Sequence, residues 1–126
     1  MKWPAGISAI TLFVDDVAQA KAFYLKVFGG PVVFEDADSA VFKIGGTLVN
    51  LLVTDAARDL IAPAQVARRE AGARAQLTIG VDDVDATCAE LLRRGITLLN
   101  GPMDRPWGIR TASFADPGGH IWEIAH

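Results

Sequence analysis

Few residues in this chain carry the chemistry of a catalytic or metal site. There is one cysteine, Cys88, and there are two histidines, His120 and His126. A single cysteine excludes an intrachain disulfide. The helical pattern around Cys88 places its thiol among apolar neighbours, where it packs as a small hydrophobe, and no base stands near it in sequence. Residues 120–125 read as a strand. Alternation then puts Ile121 and Glu123 on one face and His120, Trp122 and Ile124 on the other. A carboxylate on such a strand must be paired or solvated. Glu123 is therefore the candidate for a ligand contact, or alternatively for a general acid or base. His120 points to the other side and reads as a turn-edge side chain. His126, the last residue, is expected to fray.

The elements that position these residues come in two similar halves. Residues 10–17, Ile-Thr-Leu-Phe-Val-Asp-Asp-Val, resemble residues 77–84, Leu-Thr-Ile-Gly-Val-Asp-Asp-Val, at an offset of 67 positions. Ala22 and Ala89, and Leu25 and Leu92, match at the same offset. Only two copies occur, so the pattern reads as a duplicated half-domain rather than a solenoid. Each copy opens with a β-branched, apolar strand, residues 7–14 and 76–81. Each strand runs into Asp-Asp, whose carboxylates can accept from the free N–H groups of a helix start. Val17, Ala20, Tyr24, Val27 and Phe28 share one face of the first helix, and Val84, Cys88, Leu91 and Leu92 one face of the second. Gly29-Gly30 and Gly95 stand where helices end. Three short strands follow in each half: residues 32–35, 40–44 and 47–53, then residues 96–99, 109–114 and 120–125. Gly45-Gly46 and Asp116-Pro117-Gly118-Gly119 are the turns. Residues 55–74 join the halves, with Pro63 expected to open a short helix that Gly72 ends.

The chain has 126 residues, 51% of them hydrophobic, enough for one core. Net charge is −3 and the pI about 5.2, which argues against a nucleic-acid partner. The apolar run near the start is too short to span a membrane and lacks a signal-peptide cleavage site. No membrane association is expected, and the expected location is the cytoplasm.

The paired βαβββ units, Val-Asp-Asp before each helix, Phe23-Tyr24 in the first helix and Asp116-Pro117-x-Gly119-His120 before the last strand together resemble the vicinal oxygen chelate superfamily. That group contains glyoxalase I, extradiol dioxygenases and bleomycin-resistance proteins. The resemblance implies an α+β fold of two βαβββ modules, residues 7–54 and 75–126, in one domain spanning residues 1–126. It further implies a paired half-barrel cup around a small-molecule cleft, and a homodimer.

Enzymes of this group hold a divalent metal with His, Gln or Glu on the first and fourth strands of each module. Counting from the motifs, the matching positions here are Ala9, Asn50, Gln76 and Glu123. Ala9 cannot ligate, Asn50 is a weak neutral donor, and no histidine stands at any of the four. No cofactor is therefore expected, with a divalent metal as the alternative. Pro106-Trp107-Gly108 followed by Arg110 is similar to the bleomycin-resistance members, where the aromatic lines the ligand groove. The expected ligand-binding residues are Asn50, Gln76, Trp107, Arg110, Glu123, Phe13 and Phe42. Glu123 can pair with Gln76 or Asn50, and Arg110 with Glu123 or an anionic ligand. The expected function is sequestration of a hydrophobic or aromatic compound, such as an antibiotic. The alternatives are a metal-dependent lyase, isomerase or dioxygenase, and a metal-free isomerase using Glu123.

Overall fold

The computed structural model describes all 126 residues. They divide into two compact units. Unit 1 comprises Met1–Lys21 and Gly30–Val66; unit 2 comprises Ala22–Gly29 and Ala67–His126. Each unit is built on one four-stranded mixed sheet, giving the expected α+β class.

In unit 1 the strands are β1 (Ala9–Val14), β2 (Val32–Glu35), β3 (Ser39–Ile44) and β4 (Thr47–Val53), in the order β1-β4-β3-β2. Strand β1 runs parallel to β4, and the other pairs are antiparallel. Leu12, Val14, Ala40, Phe42, Val49 and Leu51 are buried on one face. The period-2 pleat turns Ala9, Thr11, Phe13, Asn50 and Leu52 to the other. Helix α1 (Val17–Phe28) starts in unit 1, where the Asp16 carboxylate accepts from the Gln19 N–H at 3.0 Å. Helix α2 (Thr54–Ile61) follows β4 directly and buries Ala57. The helix expected at Pro63 does not form. Chain after β4 turns straight into α2, and the only later helical turn before unit 2's sheet is the 3-10 turn Arg69–Ala71, which Gly72 ends at a φ of 85°.

Unit 2 repeats the plan with β5 (Gln76–Gly80), helix α3 (Val84–Arg93), β6 (Leu98–Asp104), β7 (Arg110–Ala115) and β8 (Ile121–Ala125). The strand order is β5-β8-β7-β6, with β5 parallel to β8. The Asp83 carboxylate caps α3 at the Ala86 N–H, 3.0 Å away, as the repeat predicts. Gly95 ends α3 in a left-handed turn, with its N–H on the Leu92 carbonyl and the Ile96 N–H on the Leu91 carbonyl. Arg94 reaches from that end to the last carbonyls of α1, at 3.0 Å from Val27 O, where a cation favours the helix dipole.

Strand β6 is longer than expected. It continues past Leu99 through Gly101 and Pro102 to Asp104, and it absorbs the interruption as register shifts against β7. Gly101 is required there. At a φ of 84° it lies against β7 so closely that a Cβ would stand 2.5 Å from the Thr111 carbonyl oxygen.

Candidate functional site

Strand alternation gives the sheet of unit 2 two chemically different faces. Ala112, Phe114, Trp122 and Ile124 are buried on one face. Arg110 is on that face too, and it grips Asp85 of α3. The second half of α1 packs on the same side, where the Phe23 ring lies 6.2 Å from Phe114 and the Phe28 ring 5.6 Å from Trp122.

The face turned away from these helices carries a polar row. Register pairs Thr78 with Glu123 and Glu123 with Ser113, while Asn100 on β6 stands opposite Ser113. The Thr78 hydroxyl donates to Glu123 Oε1 at 3.0 Å, and Glu123 itself is half-buried. Gln76 shares the face, beside Ile121, and is exposed. Two positions along from Ser113, the Thr111 hydroxyl accepts from Arg105 Nε at 2.8 Å, and Arg105 Nη2 donates to Asn100 Oδ1 at 3.2 Å. Arg105 opens the turn between β6 and β7, its N–H bonded to Ile109 O at 2.7 Å. Trp107 sits in that turn with 68% of its surface exposed.

The expected pairings are redistributed. Glu123 bonds neither Gln76 nor Asn50; Thr78, directly opposite on β5, takes its carboxylate instead. Arg110 does not reach Glu123, because the pleat puts the two side chains on opposite faces. It holds Asp85 through two parallel bonds of 2.7 and 2.9 Å, and Asp104 at 3.1 Å. These bonds hold Asp85 below the ordinary carboxylate range and raise Arg110 further. Arg110 is thus already committed to two carboxylates.

In unit 1, Asn50 and Phe13 lie on one face with Ala9, and Asn50 Oδ1 is buried without a hydrogen-bond partner. Phe42 packs on the opposite face, with Val49 and Leu51. Residue type alone could not separate a pocket-lining phenylalanine from this core one.

The donors present do not fit a divalent metal. Ala9 offers no ligand atom, Gln76 is an amide, and Glu123 is the lone carboxylate on its face. No group of three His, Cys, Asp or Glu side chains gathers anywhere in the structure. Such an ion needs several charged or imidazole donors converging.

Asp116 stands in the turn before β8, yet it is buried. Its side chain is fully buried and takes the Tyr24 hydroxyl at 2.6 Å, the His120 N–H at 2.8 Å and His120 Nδ1 at 2.8 Å. Tyr24 in turn accepts from Trp122 Nε1 at 2.9 Å. This network ties α1 to β8 and the turn before it. Burial raises Asp116, but the bonds from His120 and Tyr24 outweigh it and hold the carboxyl below its ordinary value. Burial and the Asp116 charge push the Tyr24 hydroxyl far up, so it remains a donor. The only sequence signal was Tyr24 on the apolar face of a helix, where its hydroxyl needs a partner.

Comparison with known proteins agrees with this architecture. The family model described as Glyoxalase/Bleomycin resistance protein/Dioxygenase superfamily matches residues 6–124. The uncharacterized protein YraH of Bacillus subtilis is 30% identical over 119 residues, covering 91% of this chain and 93% of that protein. Among solved structures, a glyoxalase-related enzyme from Fulvimarina pelagi superposes with a TM-score of 0.81 at 25% identity, over 97% of this chain and 88% of that one. A lactoylglutathione lyase from Agrobacterium tumefaciens gives a TM-score of 0.77 at 24% identity, over 97% and 93% respectively, a likeness of fold.

Proposed function

The chain belongs to the glyoxalase/bleomycin resistance protein/dioxygenase superfamily, and from that premise we propose that it binds a small hydrophobic or aromatic compound, without a metal, on the face of the unit 2 sheet turned away from α1 and α3. One observation carries the reading. Glu123 is half-buried on that face, its Oε1 is held by a neutral hydroxyl, and its Oε2 accepts from no protein group. A carboxylate kept there with a single neutral donor retains capacity for a hydroxyl or amine of a ligand. Trp107 supplies an exposed ring for stacking at the end of the β6–β7 hairpin, and Gln76 supplies an amide on the same face. Binding sites of this kind combine apolar walls with a few placed polar groups.

Sequestration of a drug is the finer form of this proposal. We take the protein to be a homodimer, with Val33 and Phe34 of edge strand β2 among its exposed apolar residues. Titration of the protein with a panel of planar drugs, followed by tryptophan fluorescence, tests the binding. Saturable quenching that Glu123→Gln weakens is the expected result, with no stoichiometric metal in protein prepared without chelator. Silence across the panel at high micromolar concentration contradicts it, and so does stoichiometric zinc, nickel, manganese or iron. Turnover that Glu123→Gln abolishes in a folded protein would make Glu123 the acid or base of a metal-free isomerase instead.

A further inference from the structure

We infer that Arg105 is an anion-reading residue of this face, and that the compound bound there is a small organic acid whose carboxylate pairs with Arg105 while its hydroxyl or amine donates to Glu123. This rests on the binding reading above and names the ligand class.

Arg105 differs from every other cation of the chain. Of the twelve Lys and Arg residues, Lys21, Arg105 and Arg110 are the half-buried ones. Lys21 pairs with Glu35 at 2.6 Å, and Arg110 holds Asp85 and Asp104. Arg105 has no carboxylate within ion-pair distance, and both of its side-chain partners, Thr111 and Asn100, are neutral. The Arg105 side chain is half-buried, yet its guanidinium bonds only neutral groups, so no protein carboxylate competes with an arriving anion for its charge.

The two neutral bonds also orient it. They occupy Nε and one Nη2 hydrogen, which leaves both Nη1 hydrogens and one on Nη2 for a carboxylate. Holding the fork in place beforehand lowers the cost of binding. Arg105 grips Thr111, while Glu123 pairs with Ser113 on the same face. Thr111 and Glu123 are therefore diagonal neighbours, about 7–8 Å apart between backbones. Arg105 and Glu123 form no ion pair with each other across that interval. An aromatic acid that also carries a hydroxyl or amine offers the complementary pair of ends, a carboxylate for Arg105 and a donor for Glu123, and Trp107 is exposed in the same turn as Arg105.

Matched probes test this: 4-hydroxybenzoate, 4-aminobenzoate and 4-hydroxyphenylacetate, each against its primary amide. Binding is followed by 1H–15N NMR at the amides of Thr111, Ser113 and Glu123 and at Arg105 Nε. The acids are expected to bind about tenfold or more tightly than the amides, as one charge-assisted pair requires. Arg105→Gln is expected to abolish that preference, and Arg105→Lys to keep part of it. If Arg105→Gln fails to fold, the acid–amide comparison in the native protein and in Arg105→Lys still decides. Acids and amides that bind equally at these residues overturn the inference and leave the binding reading standing. An acid preference unchanged in Arg105→Gln does the same. No shift at these residues with any probe overturns both.

Discussion

Replacing Tyr24 with phenylalanine should destabilise the protein far more than the loss of one oxygen suggests. The hydroxyl sits between a buried carboxylate and a buried indole, donating to Asp116 Oδ2 at 2.6 Å and accepting from Trp122 Nε1 at 2.9 Å. A hydrogen bond to a charged group contributes about 1.5–3 kcal/mol, and a buried donor left without an acceptor costs about 1–3 kcal/mol. Asp116 keeps its two bonds from His120, so the combined loss is set at about 2–4 kcal/mol. That is a large share of the roughly 5–15 kcal/mol that holds a domain folded. The phenylalanine ring preserves the stack on Phe28, whose centroid lies 5.9 Å away, so no cavity contributes. Urea unfolding at pH 7, followed by circular dichroism, reads the change as a lower midpoint at constant slope. The difference should also depend on pH. Asp116 is held below its ordinary 3.8 in the folded protein. Its contribution is complete above that value and is lost as pH falls through the lower folded value. Removing a donor raises the folded value toward the unfolded one. The gap between native and Tyr24→Phe protein should therefore be full at pH 7 and shrink below about pH 4. A loss below about 0.5 kcal/mol at pH 7, the scale of an ordinary surface change, would refute the assignment of this network as a fold determinant.

Further outcomes follow from other parts of the structure. Gly101→Ala should cost at least about 2 kcal/mol, from a left-handed φ and a Cβ driven into β7; a thermal melt within 2 °C of native would contradict this. Cys88 is buried, and burial raises its thiol, with Asp85 adding to the effect. It should react with a thiol reagent at least tenfold more slowly in native protein than in urea-unfolded protein. Arg110→Gln should leave ligand binding unchanged, since Arg110 faces α3; equal losses in Arg110→Gln and Glu123→Gln titrations would show that the two faces are not separate.

Much of the fold was legible because it depends on local rules. The 67-residue offset marks β1 and β5, and the caps at Asp16 and Asp83, from local sequence alone. Alternation placed Trp122 and Glu123 on opposite faces of β8 correctly, because each strand face has one partner medium. What stayed hidden depends on pairing between distant strands. The strand expected over residues 96–99 stops short of Gly101-Pro102, yet β6 runs on through them to Asp104 by shifting register. Thr78 and Ser113 flank Glu123 only once β5, β7 and β8 are aligned. Arg110 and Arg105 look equivalent in sequence; strand phase commits Arg110 to acidic partners on the helix side, while Arg105, just past the end of β6, bonds the neutral Thr111 and Asn100. The Asp116 bond to Tyr24 spans 92 positions, and no local pattern encodes it.

The most direct test of the account is a crystal structure of protein purified without chelator and soaked with 4-hydroxybenzoate, collected with anomalous data. Ligand density is expected on the sheet face carrying Thr78, Glu123 and Ser113, within hydrogen-bond distance of Glu123 Oε2, with no anomalous peak beside that carboxylate. A metal peak with Glu123 among its ligands, or ligand density confined to other surfaces, would contradict it.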